Sequence, residues 1–329
     1  MTILVTGGAG YIGSHMVLAL VDAGYPVVVL DDLSTGFEWA VHPDATFVQG
    51  DVADTALVRR LIDEHHVEAV IHFAARILVA DSVADPLGYY YANTVKSRAL
   101  LEAVLAGGVR RVIFSSTAAV YGMGSQQPVS EDAPLVPLSP YGRSKLMTEW
   151  MLADSAAAHG LSYVALRYFN VAGADPAGRS GETRHRATHL INVAAQAATG
   201  KRDGIDIYGA DYDTPDGTCL RDYIHVSDLA AAHLDALRHL QAGGGNIVLN
   251  CGYGRGYSVR EVVETVKRVS GVDFPVRLAP RRPGDPAAIV ARAERIRTEL
   301  GWRPGFDDLD TIVSHALSWE RTLRSRNRL

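Results

Sequence analysis

Cysteine is nearly absent: Cys219 and Cys251 are the only two in 329 residues. Two are too few for a disulfide framework or a cysteine-based zinc site, so no metal is expected. An excess of positive charge is missing as well. The formal charge is −5, which argues against a nucleic-acid partner. There is no apolar run long enough to span a bilayer, no internal repeat and no low-complexity tract. A secretory leader is not expected, because a β-branched apolar run and a glycine cluster begin almost at Met1. These absences point to a cytoplasmic globular protein bound to neither membrane nor nucleic acid. The composition, 47% hydrophobic and 21% charged, fits that class, and the length allows one large domain or two intimate ones.

What is present begins with residues 2–6, which read as a buried parallel strand, followed by Gly7-Gly8-Ala9-Gly10-Tyr11-Ile12-Gly13 and a helical stretch to about residue 23. Strand, glycine turn and helix form the context of a dinucleotide fingerprint, here one residue wider than the usual spacing. Gly7 allows the tight turn, Gly10 lets backbone approach a pyrophosphate, and Gly13 lets helix and strand pack closely. A second strand over 26–30 runs into Asp31-Asp32, and Asp31 lies 18 residues after Gly13, near the interval of a ribose-binding acid. A carboxylate there accepts from both ribose hydroxyls and repels a 2′-phosphate. No Lys or Arg follows in residues 33–36, so the cofactor reads as NAD rather than NADP.

Further strands are expected over 45–49, 69–73, 111–114 and 163–168, alternating with helices that include a long one over 86–106. Such alternation predicts a doubly wound parallel sheet. Strand ends carry Gly50-Asp51-Val52, Phe73-Ala74-Ala75, Ser115-Ser116-Thr117 and Tyr168-Phe169-Asn170, the edge at which ligands of such sheets sit. After Asn170 a polar, glycine-rich stretch, 171–186, reads as a loop over the site. A short strand over 205–208, a strand and helix over 221–240, a buried strand over 246–250 and a helix capped by Ser258 follow.

The stretch with most chemical content is Tyr141-Gly142-Arg143-Ser144-Lys145. Four apart on a helix, Tyr141 and Lys145 share a face. A phenol of pKa near ~10 is only about 0.1% ionised at pH 7, and bringing it to ~7 requires about 4 kcal/mol. One ammonium at ~4 Å supplies about that much at an effective dielectric near ~20. Taken alone, the pair also fits an ordinary amphipathic helix; the remainder of the chain decides.

That remainder carries a resemblance. Thr6 to His15, His72-Phe73-Ala74-Ala75, Ser115 to Gly122, Pro140 to Lys145, Leu166 to Asn170, Arg221 to Val226 and Ala279 to Asp285 are similar to the extended short-chain dehydrogenase/reductases over nearly the whole chain. Within them the chain looks like the UDP-glucose (UDP-galactose) 4-epimerase branch. The resemblance implies a Rossmann-like NAD-binding domain over 1–170, with a return of the chain around 221–250, and a smaller C-terminal α/β substrate domain over 171–329 that takes a UDP-sugar. It implies epimerisation at sugar C4 through a transient 4-keto sugar, with Thr117 bonding O4, Tyr141 as base, and Lys145 lowering the Tyr141 pKa and bonding the nicotinamide ribose. Cofactor contacts are implied for Gly7, Gly10, Tyr11, Ile12, Gly13, Asp31, Asp51, Val52, Phe73, Ala74, Ala75, Asn93, Lys145 and Tyr168. Substrate contacts are implied for Thr117, Tyr141, Asn170, His189, Leu190, Arg221 and Arg282, with Ile207 and Tyr208 at the uracil, Asp285 at the uridine ribose and Ile289 beside C2 of the sugar. A homodimer through the helices near 86–106 and 141–158 is implied too.

Three positions depart from relatives: Ile77 stands where some place a phosphate-reaching Lys, Ala92 precedes Asn93 where a pair of Asn is common, and Ile289 stands where a Tyr closes the pocket. Rival readings are an epimerase for another UDP-sugar, a nucleotide-sugar dehydratase or decarboxylase, and a non-catalytic NAD sensor. Dehydration needs an extra acid or base after Thr117, where Ala118-Ala119 stand, and a sensor has no need of the Thr/Tyr/Lys set.

Overall fold

The computed structural model describes residues 1–124, 127–184, 187–282 and 284–326; Pro283 of the basic loop lies outside these. The chain opens with β1 (Thr2–Thr6), α1 (Tyr11–Asp22), β2 (Val27–Asp31), β3 (Thr46–Gln49), α2 (Thr55–His65) and β4 (Val67–His72). It continues through α3 (Val79–Ala84), α4 (Pro86–Tyr90), α5 (Lys96–Ala106), β5 (Arg111–Ser115), α6 (Pro140–His159) and β6 (Ser162–Tyr168). Next come β7 (Asn170–Ala172), α7 (Leu190–Ala198), β8 (Ile205–Tyr208), β9 (Leu220–His225), α8 (Val226–Gln241) and β10 (Ile247–Cys251). The last elements are β11 (Gly256–Ser258), α9 (Val259–Ser270), β12 (Val276–Ala279), β13 (Ala288–Ile289), α10 (Glu294–Leu300) and α11 (Leu309–Arg326).

Seven parallel strands make the main sheet, in the order β10-β6-β5-β4-β1-β2-β3. Its strands are β-branched and apolar because both faces are covered. Period-two alternation divides them: Ile3, Val5 and Val29 pack with Met16, Leu20 and Leu237 from α1 and α8, whereas Leu4, Val28 and Val70 pack with Leu61, Leu100 and Val104 from α2 and α5. The result is a doubly wound, Rossmann-like sheet with a smaller C-terminal α/β unit. In that unit β9 pairs with β7, β11 and β13, β8 pairs with β12, and α7, α9 and α11 pack together. β10 closes the main sheet against β6, so the chain returns to it after β9.

Two expectations change. The helix over 86–106 contains a π turn, Tyr91–Val95, between α4 and α5. That extra residue goes with an inward-facing Asn93, whose amide accepts from the Arg76 N–H (2.8 Å) and donates to the Arg76 carbonyl (2.9 Å) and the Ser144 hydroxyl (3.0 Å). The glycine-rich stretch after β7 is a buried strap along α1 instead of an open loop. Tyr11 donates its hydroxyl to the Gly173 carbonyl, Ser14 bonds Ser180, and Arg179 pairs with Asp22.

Candidate active site

The carboxyl ends of the parallel strands meet at one edge, and most of the residues singled out in the sequence lie there. The glycine turn is shaped by backbone contacts. A Cβ on Gly7, whose φ is +74°, would stand 2.6 Å from the Ala74 nitrogen, and one on Gly13 would stand 2.1 Å from the Gly7 carbonyl oxygen. Gly10 differs. Within 4 Å a Cβ there meets only the Gly7 oxygen, at 3.4 Å. Gly10 is also the N-cap of α1, whose first turn has no side-chain cap and no acidic residue. An open hollow at an uncapped, electropositive helix end fits the pyrophosphate of a dinucleotide.

Asp31, at the end of β2, accepts from the Ala9 and Leu33 N–H groups, both at 2.9 Å. Burial raises its pKa, and the two N–H groups act against that. Asp51 is held by Lys96 (2.5 Å) and the Ala53 N–H. Desolvation raises its pKa, but the Lys96 bond, the Ala53 N–H and the Lys96 charge together outweigh it, and the net shift is downward. Lys96 escaped the sequence reading because it lies 45 residues away from its partner. Val52, Phe73, Ala74 and Ala75 follow the ends of β3 and β4, with Val52 and Phe73 buried. Tyr11 is turned away, its hydroxyl on the Gly173 carbonyl, and Ile12 packs partly into the core. The Tyr11 side chain is therefore committed to the strap after β7. Asn93 is buried and fully engaged with Arg76 and Ser144, so it fixes the β4–α3 loop against α6. In that loop Ile77 is exposed, and Arg76 is paired with Asp85 over the Tyr89 ring.

Ser139 caps α6 by accepting the Gly142 N–H, and Pro140 follows at its first turn. That start puts Tyr141 against Thr117, just beyond β5. The Thr117 hydroxyl accepts from the Ala119 N–H at 3.1 Å and lies close enough to the Tyr141 phenol to lower its pKa. Tyr168, at the end of β6, bonds Ser115 at 2.5 Å.

The Lys145 ammonium is engaged on β5 in this geometry. It donates to the Ser115 carbonyl (2.9 Å) and lies 4.9 Å from the Phe114 ring centroid. Burial pushes Tyr141 up to about 12, opposed by the nearby Thr117 hydroxyl, and burial takes Lys145 down to about 7, opposed by Glu149. Sharing a helix face aligned the two side chains, but the longer one reaches on to β5.

The second group of candidates lies along β9. Arg221 donates to the Leu220 carbonyl and approaches Asp285 to 3.9 Å; Arg282 donates to Asp285 (2.9 Å) and stacks 4.8 Å over the Tyr208 ring. Two residues along β9 from Arg221, Tyr223 sits opposite Asn170 of β7, about 7 Å further on. Two guanidiniums and a carboxylate beside an exposed tyrosine can hold a diphosphate and a ribose. Ile289 pairs with Arg221 in register, so its side chain leaves the sheet on the same side, and it is 8% exposed. Of the pair on β8, strand alternation turns Ile207 into the core and leaves Tyr208 exposed. His189 is the N-cap of α7 with Leu190 after it. Burial, then Arg184, lowers the His189 pKa, and its Nδ1 is buried without a partner. Among the described residues, no cluster of His, Cys, Asp and Glu is placed to hold a metal ion, and no helix is long and apolar enough to cross a membrane.

Comparison with known proteins matches this geometry. A model of the NAD dependent epimerase/dehydratase family matches residues 3–252. A UDP-glucose 4-epimerase of Azospirillum brasilense is 60% identical over 321 residues, covering 98% of this chain and 92% of its own. The crystal structure of UDP-glucose 4-epimerase from Brucella ovis in complex with NAD is 48% identical with a TM-score of 0.94, covering 96% of this chain and 97% of that one. The UDP-Glc/GlcNAc 4-epimerase from Campylobacter jejuni is 47% identical with a TM-score of 0.86, covering 98% of this chain and 99% of that one.

Proposed function

The chain belongs to the NAD dependent epimerase/dehydratase family, and from that premise we propose that it interconverts UDP-glucose and UDP-galactose by NAD-dependent oxidation and reduction at sugar C4. The observation that carries this reading is buried Tyr141 next to Thr117 with Lys145 one turn further along α6, at the sheet edge that bears the open Gly10 hollow. When bound, NAD supplies the hydride acceptor and donor for C4 and, in its oxidised form, a positive ring. The chain supplies the rest. Thr117 holds O4, and Tyr141 takes its proton and later returns it. Lys145 provides the ammonium that favours the phenolate. Arg221 and Arg282 exchange their Asp285 contacts for the diphosphate, so the nucleotide stays anchored while the 4-keto sugar presents its other face. Taking a phenol from about 12 to neutrality requires about 7 kcal/mol. One ammonium at ~4 Å gives about 4 kcal/mol, so a second positive charge is needed and the oxidised cofactor brings it.

Purified protein given UDP-galactose and no added cofactor is expected to yield UDP-glucose, and heat is expected to release NAD from it. A 4-keto-6-deoxy product would identify a dehydratase instead, and stoichiometric NADP would overturn the role given to Asp31. A homodimer accompanies this reading. Leu87, Tyr91 and Val95 form an exposed apolar stripe beside exposed Trp150 of α6, a patch that a second copy would cover. A monomer in sedimentation at micromolar concentration would overturn it.

Ile289 supports a wider pocket than Tyr would give. Overpacking a closed site costs about 1–3 kcal/mol, a ten- to hundredfold loss if realised in the transition state. UDP-N-acetylglucosamine is therefore expected as a detectable secondary substrate, with Ile289→Tyr lowering kcat/KM for it relative to UDP-glucose about tenfold. An unchanged ratio would show that this side chain, already well buried, does not gate the pocket.

A further inference from the structure

Glu149 stands one further turn along α6 from Lys145, completing a stripe with Tyr141 at spacings of four. It is buried, and so is its partner Arg167 on β6. The pair is bidentate: Arg167 Nη2 donates to Oε2 at 2.6 Å and Nε to Oε1 at 3.0 Å. Arg167 is itself fixed by donating to the Tyr121 hydroxyl (3.0 Å), which donates to Asn250 Oδ1 (2.7 Å) on β10. Glu149 Oε1 takes one more bond, from the Ser116 hydroxyl at 2.5 Å.

Ser116 lies between the two residues that touch the chemistry. Ser115 offers the carbonyl that holds the Lys145 ammonium, and Thr117 lies beside the Tyr141 phenol. The Ser116 N–H is bound to the Leu166 carbonyl at 2.9 Å, so its side chain is the remaining tie between this strand end and α6. A buried ion pair of this kind is a weak source of stability, since its desolvation cost offsets much of the attraction. Its location, with every member bonded, calls for another explanation.

We propose that Glu149, braced by Arg167, is a positioning residue for the reaction: it grips Ser116 to fix Ser115 and Thr117 against Lys145 and Tyr141, and it faces Lys145 with a negative charge. The groups around Lys145 leave that task to Glu149. From β4 comes His72, which burial holds neutral with a pKa near 3; from β6 come the protonated Tyr168 and the cationic Arg167; on its own helix stand Tyr141 and Glu149. Glu149 is the group that opposes the desolvation of the Lys145 ammonium. Removing its charge leaves Arg167 uncompensated, which shifts Lys145 further toward the neutral amine. Activity that needs the ammonium then falls at lower pH as pH rises.

The inference rests on the function proposed above, and wild-type conversion of UDP-galactose is measured in parallel. Inactive wild type would sink that function; active wild type with unaffected variants would sink this inference alone. Ser116→Ala keeps the ion pair and is expected to fold with a wild-type melting temperature and NAD content. Its kcat should fall about ten- to a hundredfold at nearly unchanged KM, the cost of sub-ångström misplacement. Glu149→Gln should move the alkaline limb of the kcat profile down by about one pH unit. If Glu149→Gln does not fold, the apolar pair Glu149→Leu with Arg167→Met replaces both charges and reads the same limb. A wild-type kcat in Ser116→Ala would overturn the grip. An unmoved alkaline limb in whichever Glu149 variant folds would overturn the charge role, because a merely structural loss lowers melting temperature without moving that limb.

Discussion

Tyr141→Phe is expected to lower kcat about a thousandfold while leaving fold and NAD content unchanged. The phenol is buried at the start of α6, and its ring fills space that Phe fills equally. Thr117 keeps a partner in the variant, because its hydroxyl already accepts the Ala119 N–H at 3.1 Å. No buried group is therefore orphaned, and what is lost is the atom that accepts and returns the O4 proton. Thermal denaturation and cofactor release verify the fold, and turnover of UDP-galactose reads the chemistry. Turnover near that of the wild type would remove Tyr141 from the mechanism.

Gly13→Ala is expected to have the largest effect on stability and cofactor retention together. The added carbon would stand 2.1 Å from the Gly7 oxygen and 2.8 Å from both the Gly7 carbonyl carbon and the Gly8 Cα. All three are main-chain atoms, held by the Gly7 N–H bond to Leu30 and by the docking of Ala74 on Thr6, so no side chain can swing aside. A loss of about 3 kcal/mol follows from overpacking of this kind, with the glycine turn displaced from its anion-binding shape and NAD lost. Gly10→Ala serves as the contrast: its carbon meets only the Gly7 oxygen at 3.4 Å, so the melting temperature should hold while NAD content drops. A Gly13→Ala protein with wild-type melting temperature and NAD content would refute the argument.

The features legible in the sequence were those that local chemistry dictates. The glycine turn reads directly because its constraints are main-chain contacts between residues close in sequence. Strand ends reveal themselves by the change from β-branched residues to Gly, Asp, Ser or Ala, which placed Asp31, Thr117 and Ala74 at the crevice edge. Legibility failed where partners lie far along the chain. The Lys96–Asp51 and Glu149–Arg167 pairs and the Ser180–Ser14 strap are long-range, and no local signal announces them. The spacing of Tyr141, Lys145 and Glu149 could have drawn attention to Glu149, since one face of α6 carries all three. The Lys145 bond to the Ser115 carbonyl was not legible, because a shared face says where a side chain starts, not where its four carbons end. Alternation divides Ile207 from Tyr208 cleanly, with the apolar member inside. The π turn at Asn93 left no mark on the apolar pattern, because one inserted residue costs a single step in a helix whose neighbours repack around it.

The return of the chain to the sheet has a consequence for synthesis. β6 is complete at Tyr168, but its free edge is covered only by β10, and α1 receives α8 only after β7, β8 and β9 have been made. A nascent polypeptide therefore carries an unpaired, apolar strand edge until Cys251 has left the ribosome, the circumstance in which strand edges recruit other chains. A fragment ending at residue 170 is stranded permanently at that stage. The burden of keeping the early chain soluble falls on the interval in which residues 171–251 are translated.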